Sequence, residues 1–296
     1  MRAPLDSGQF NRRVISEIEA FRPDILLCES ALLLKKQTFV RAKELGAKIV
    51  GMSQDYVTAP HNLNLWQKHA LPLYDLFFTT KSFGVNELET LGINHVHLVN
   101  NTYEPSIHHP LSPDEVGEEH EDFDCVFVGT FESDRAESLR LLADAGLKVL
   151  IHGNAAGRLS GSWDVLSHPL ITKRPAANGL EYTRAVHRGK VALGFLRKLS
   201  KDEITCRSIE LTAMARPMLA EKTAEHDAQF VDGEEYVGFT SDAEMVAAAR
   251  RLVDDARLRH SIGTAGRQRC LDDGLDNASL VRRMLDIMRD EFPDLA

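Results

Sequence analysis

Short apolar runs alternate with amphipathic stretches along most of the chain, and glycines mark many of the changes. Residues 24–28 predict a strand, followed by a helix over 32–45 that stops at Gly46. Two more strands are predicted at 47–52 and 76–80. A helix over 83–91, capped by Gly92, leads into a fourth strand at 96–99. This alternation predicts a parallel α/β sheet. It breaks at 104–122, where proline, histidine and acidic residues dominate without any apolar period. A second alternation begins at Phe123, with strands over 123–129, 147–152 and 191–195 and helices over 132–145 and 180–187. Pro217 ends a helix that carries Glu210, and residues 217–220 read as a buried strand. Three closing helices are expected at 245–253, 256–265 and 278–288. The pattern divides the chain into an N-terminal domain over 1–105, a linker over 106–121 and a C-terminal domain over 122–296.

Bulk properties narrow the function classes. At 296 residues the chain can build two cores, and 43% hydrophobic with 27% charged residues describes a globular protein. A net charge of −9 argues against general nucleic-acid binding, which needs a basic stripe. Its apolar runs are too short to span a bilayer, and its start lacks the basic-then-apolar pattern of a secretory leader. Cys28, Cys125, Cys206 and Cys270 are scattered without a CxxC pair, the pattern of reduced thiols in a cytoplasmic protein. No metal site is expected, because His108 and His109 have no Cys or carboxylate partner at ligand spacing.

The most informative segment runs from Cys206 to Ala220. Arg207 and Glu210 stand three apart and share one helix face. A cation beside a carboxylate suits a ligand that carries both phosphates and hydroxyls, such as a nucleotide sugar. The segment resembles the donor-binding region of GT-B glycosyltransferases, in particular the "glycosyl transferases group 1" domain of the spore maturation protein type. There an Arg, two residues, a Glu and small or apolar residues precede a strand and a Gly-Glu-Glu turn, here Gly233-Glu234-Glu235. Many retaining relatives place the Glu seven residues before a Pro, as Glu210 and Pro217 stand here. Their usual glycine is absent, since Ala215 and Arg216 occupy its neighbourhood. The resemblance extends from about Phe10 to the last helix. It implies an α/β GT-B fold, two Rossmann-like domains facing across a cleft, with the N-terminal domain shortened. The strand at 24–28 would then lie on an exposed sheet edge, which a second copy of the chain could cover.

The resemblance also assigns roles. It implies that Glu210 accepts hydrogen bonds from the ribose hydroxyls, where a plainer reading is an acid favoured near a helix start. Arg207 would neutralise the departing diphosphate and so act in catalysis, or else simply pair with Glu210. Gly129 would let backbone approach the phosphates, or mark an ordinary turn. Thr130 stands where many relatives carry Arg, which leaves Arg135 to supply charge. Gly153 marks the place where the base packs, with Trp163 further along. Tyr182 would touch the donor or fill the core, and Lys198, beside Arg197 and near Lys201, would reach phosphate or stay solvated. Asp55 is the candidate general base or acceptor-orienting group, with His61 as a substitute; capping a turn is its plainer role. The implied activity is metal-independent, cofactor-free transfer of a sugar from a nucleotide-diphosphate donor to an acceptor hydroxyl. The acceptor, whether glycan, protein or small molecule, is unspecified. Two alternatives stay open: binding of a nucleotide sugar or partner without transfer, and sugar-nucleotide epimerisation on the same fold.

Overall fold

The structure, a computed structural model, describes residues 7–29, 33–59, 62–153 and 162–295. The chain forms two compact units. The first comprises Met1–Asn101, Lys198–Lys201 and Leu280–Ala296; the second comprises Thr102–Arg197 and Asp202–Ser279.

In the first unit, α1 (Gly8–Phe21) precedes β1 (Ile25–Glu29), α2 (Lys36–Glu44), β2 (Lys48–Ser53), α3 (Leu65–Ala70), β3 (Leu76–Thr79), α4 (Ser82–Thr90) and β4 (Val96–Leu98). The strands pair in parallel in the order β1-β2-β3-β4. Helix α1 was not expected from the pattern, and its packing explains why. Only Asn11 and Ile18 of this helix are buried. Asn11 anchors it instead: its amide donates to the Leu33 carbonyl at 2.9 Å, and its oxygen accepts from the Thr38 hydroxyl at 2.6 Å. A polar anchor leaves no apolar period to read. Strand β1 lies at the sheet edge with Leu27 exposed.

The second unit begins with the short α5 (Pro113–Val116), then β5 (Phe123–Val128), α6 (Ser133–Asp144), β6 (Val149–His152), β7 (Ile171–Arg174), α7 (Leu180–His187) and β8 (Gly189–Gly194). It continues through α8 (Cys206–Ala213), β9 (Met218–Glu221), α9 (Ala224–Gln229), β10 (Val237–Phe239), α10 (Asp242–Asp254) and α11 (Ala256–Asp272), and α12 (Asn277–Glu291) follows. Six strands pair in parallel in the order β10-β9-β8-β5-β6-β7. The order reverses between β5 and β8, so the loops after these strands diverge and open a crevice at their C-terminal ends. Apolar layers cover both sheet faces, one around Phe127, Ile151 and Leu193, the other around Val126, Leu150 and Tyr182.

The division differs from the expected one in three places: the N-terminal stretch of the first unit ends at Asn101, so that the expected linker 106–121 belongs to the second unit, Lys198–Lys201 group with the first, and the C-terminus does so too. Leu280, Met284, Met288 and Phe292 pack on Val50, Leu76 and Phe78, so most of α12 belongs to the first unit. Their four-residue spacing fills one face of the first sheet, a destination that periodicity alone does not name. Strands β7 and β10 and helix α9 were also missed; β7 is a half-exposed edge strand, and the other two are short. Among the described residues no helix is long and apolar enough to cross a membrane.

Candidate functional site

The crevice at the β5–β8 switch point contains a cavity of about 350 Å³. Gly129, Thr130, Arg135, Gly153, Arg197 and Arg207 are among its walls. A Cβ on Gly129 would meet the Phe127 ring at 2.6 Å, and Gly153 is where it is because the loops touch. A Cβ on Gly153 would lie 2.3 Å from the Gly129 carbonyl oxygen and 2.3 Å from Trp163 Nε1. The Trp163 indole N–H donates to that same carbonyl at 3.3 Å. Trp163 itself is buried against Phe127 and Phe131, a core residue that braces the Gly129 loop.

Arg135 enters the cavity wall from the first turn of α6. Its Nη1 donates to the Thr130 carbonyl at 3.2 Å, and its guanidinium lies 5.7 Å from the Phe127 ring centre. Glu132 stands 3.6 Å from Arg135 and 3.0 Å from Arg197, so one carboxylate serves two cations. Burial pulls the Arg135 pKa below its ordinary value, yet a guanidinium remains charged at neutral pH. Asp202 lines the cavity as well, so the site brings Arg135, Arg197 and Arg207 together with the carboxylates of Glu132, Asp202 and Glu210.

Helix α8 presents the other half of the site. Thr205, in extended conformation, precedes its first turn, and Pro217 keeps the helix from continuing. Arg207 and Glu210 fall on one face, with Nη1 3.1 Å from Oε2. The Arg207 guanidinium also lies over the Tyr182 ring of α7, 4.2 Å from its centre. Tyr182 is buried, and its hydroxyl finds no hydrogen-bond partner of good geometry among the described residues. Burial pushes that phenol well above its ordinary pKa, so it stays neutral. His108 packs edge-on against Tyr182, ring centres 5.6 Å apart, and brings Nε2 to 3.9 Å from Glu210 Oε1. In the sequence His108 offers itself only as a metal ligand; no local spacing signals a histidine that reaches a helix a hundred residues on.

The remaining candidates lie elsewhere. Lys198 sits in a short 3-10 turn that groups with the first unit, and it is not among the described residues lining the cavity. Its neighbour Arg197 is. Asp55 follows β2 in the first unit and is exposed. Its backbone N–H donates to Ser53 Oγ at 3.1 Å, and it borders a cavity of about 70 Å³ together with Cys28, Met52 and Tyr74. His61 falls outside the described residues.

A family model described as "Glycosyl transferase-like" matches residues 135–286. No curated protein matches the chain in sequence. Solved structures resemble it over nearly its whole length. Sucrose-phosphate synthase from Thermosynechococcus elongatus aligns with a TM-score of 0.68 at 12% identity, covering 97% of this chain and 78% of that one. Anabaena HepE in complex with UDP-glucose aligns with a TM-score of 0.68 at 12% identity, covering 97% and 84%. A putative UDP-N-acetylglucosamine 2-epimerase from Listeria monocytogenes aligns with a TM-score of 0.59 at 11% identity, covering 99% and 83%. At such identities the likeness is one of fold.

Proposed function

Because this chain belongs to the glycosyl transferase-like family and has the GT-B fold, we propose that its second unit holds a nucleotide-diphosphate sugar and that the protein transfers the sugar to an acceptor hydroxyl. The observation that carries the reading is the Arg207–Glu210 couple at the mouth of a helix, beside a cavity at the sheet's switch point. Glu210 offers carboxylate oxygens to a ribose diol. Arg207, Arg135 and Arg197 meet the diphosphate, and the N-terminus of α8 adds its partial positive charge. As the glycosidic bond breaks, charge accumulates on the leaving diphosphate, and fixed cations in a partly buried site stabilise it without reorganising. These arginines supply the role that a divalent ion plays elsewhere, which supports a metal-independent mechanism. The Arg-x-x-Glu pattern with Gly233-Glu234-Glu235 supports membership of the spore maturation protein type. Asp55 is the proposed group facing the acceptor.

Calorimetric titration with UDP, GDP and ADP tests the donor site, and incubation with the matching nucleotide sugars tests the chemistry. The expected result is binding of one nucleoside diphosphate, with HepE making UDP the first choice, and release or transfer of the sugar. Glu210→Ala should weaken that binding by ~1–3 kcal/mol, the loss of charge-assisted hydrogen bonds. No binding by any of the three would overturn the donor reading. Binding without sugar release or transfer would leave a carrier of nucleotide sugar. A changed sugar still attached to its nucleotide would identify an epimerase.

A further inference from the structure

The segment between the two alternating halves brings His108 against Tyr182 and Glu210. The Glu104 backbone N–H donates to His108 Nδ1 at 3.0 Å. A neutral imidazole that accepts at Nδ1 carries its proton on Nε2, so the tautomer is set by the turn itself. That turn is pinned from several sides. The Glu104 carboxylate accepts from the Ser106 hydroxyl at 2.7 Å and from Asn277 Nδ2 at 3.1 Å. The Thr183 hydroxyl of α7 donates to the Ile107 carbonyl at 2.6 Å. Burial lowers the His108 pKa, which keeps the ring neutral at neutral pH. The protonated Nε2 therefore faces Glu210 Oε1 at 3.9 Å, while Arg207 holds Oε2 at 3.1 Å.

We infer that His108 is a positioning residue, one whose Nε2–H and ring set the plane of the Glu210 carboxylate for the hydroxyls of the bound donor. The inference rests on the donor-site reading above. At 3.9 Å the N–H is beyond hydrogen-bond range, so it orients Glu210 as a dipole aimed at one carboxylate oxygen. Arg207 holds Oε2, and the Tyr182 hydroxyl lies close to the same carboxylate, yet neither meets its other oxygen from the His108 side. A donor on that side restricts the swing of the carboxylate, so that two adjacent hydroxyls meet preset acceptors.

Three variants separate this from a packing role. His108→Phe keeps a ring against Tyr182 and removes the N–H. His108→Asn reaches only the Nδ1 position, and His108→Gln places an amide nitrogen near Nε2. Each is titrated with the nucleoside diphosphate that binds the wild-type chain and with its 2′-deoxy counterpart, alongside thermal unfolding. The wild type is expected to prefer the ribonucleotide. His108→Phe and His108→Asn should lose roughly two- to threefold in affinity for it, the low end of what a polar contact contributes, and their ribose-to-deoxyribose preference should shrink by a similar factor, while His108→Gln keeps most of both. If Phe does not fold, the Asn–Gln pair gives the same comparison. Undiminished preference in His108→Phe or His108→Asn would overturn the role of His108 and leave the donor site standing. A wild-type chain that binds no nucleoside diphosphate, or does not prefer ribose, would overturn the donor reading and this inference with it.

Discussion

Arg207 lies over the Tyr182 ring, its guanidinium carbon 4.2 Å from the ring centre, so the cation at the site stands on an aromatic platform. A guanidinium over an aromatic face gains ~0.5–2 kcal/mol and gives up much of its rotamer freedom. The platform and Glu210 together aim Arg207. Tyr182→Phe should bind and turn over donor like the wild type, and unfold at an equal or slightly higher temperature, because it removes a buried hydroxyl without a well-formed hydrogen bond. Tyr182→Leu keeps much of the apolar volume but not the ring, and it should lower turnover. Equal turnover in both variants would show that Arg207 does not depend on its platform.

Gly153 and Gly129 make a second contact with measurable consequences. A methyl group at 153 would meet the Gly129 carbonyl at 2.3 Å, and backbone cannot yield as a flexible side chain can. Gly153→Ala should therefore push the Gly129 loop off the Trp163 indole, costing ~1–3 kcal/mol of stability through overpacking. Donor affinity should fall with it, since Gly129 and Thr130 line the same cavity. Chemical unfolding and nucleotide titration of this one variant check both effects. A stable variant with intact affinity would mean that the two loops adjust independently.

Much of this site was legible in the chain because its determinants are local. Arg207 and Glu210 are three residues apart on a helix that a proline ends, and strand-end glycines follow apolar runs. What escaped depends on contacts between distant segments. His108 reaches Tyr182 and Glu210 only because the turn at 104–108 is tied to α7 and to Asn277. Trp163 lies ten residues beyond Gly153, yet its destination is the Gly129 carbonyl. The last helix reads as a closing element of the second half, but its apolar stripe is complementary to the first sheet. Periodicity says that a face is buried and not which face it meets.

Ala215, just beyond α8, adopts a φ of +55°, in the left-handed region that non-glycine residues enter at a cost of ~1–2 kcal/mol. This is the neighbourhood in which the resemblance leads one to expect glycine. The conformation is held in place by packing: Gly263 of α11 approaches so closely that a Cβ there would lie 2.2 Å from the Ala215 carbonyl oxygen. Ala215→Gly should relieve the strain and lose some of the gain to a more flexible unfolded chain. A net stabilisation of about 0.5–1 kcal/mol is expected, read as a higher urea midpoint at unchanged slope. A lower midpoint would mean that the methyl group packs better than the backbone is strained.

His187 makes stability depend on pH with a definite sign. The residue is 2% exposed; its Nδ1 donates to the Thr183 carbonyl at 2.9 Å, and its Nε2 accepts the Leu111 N–H at 3.1 Å. Both nitrogens are satisfied only in the neutral ring. Burial first, and then the nearby Arg216 charge, push its pKa down to about 4 from the ordinary 6.5. Between those values the unfolded chain binds the proton and the folded chain does not, so stability falls as pH drops through that window and levels off below it. The full penalty is on the order of 3 kcal/mol, at ~1.4 kcal/mol per unit. Other groups add to the pH dependence, including the buried His226, whose pKa burial also lowers. Comparing the wild type with His187→Gln at about pH 6.5 and about pH 5 cancels their contributions. The variant should be less stable at the higher pH, and the gap should narrow by about 2 kcal/mol at the lower one. A gap that stays constant would show that His187 takes up its proton alike in the folded and unfolded chain.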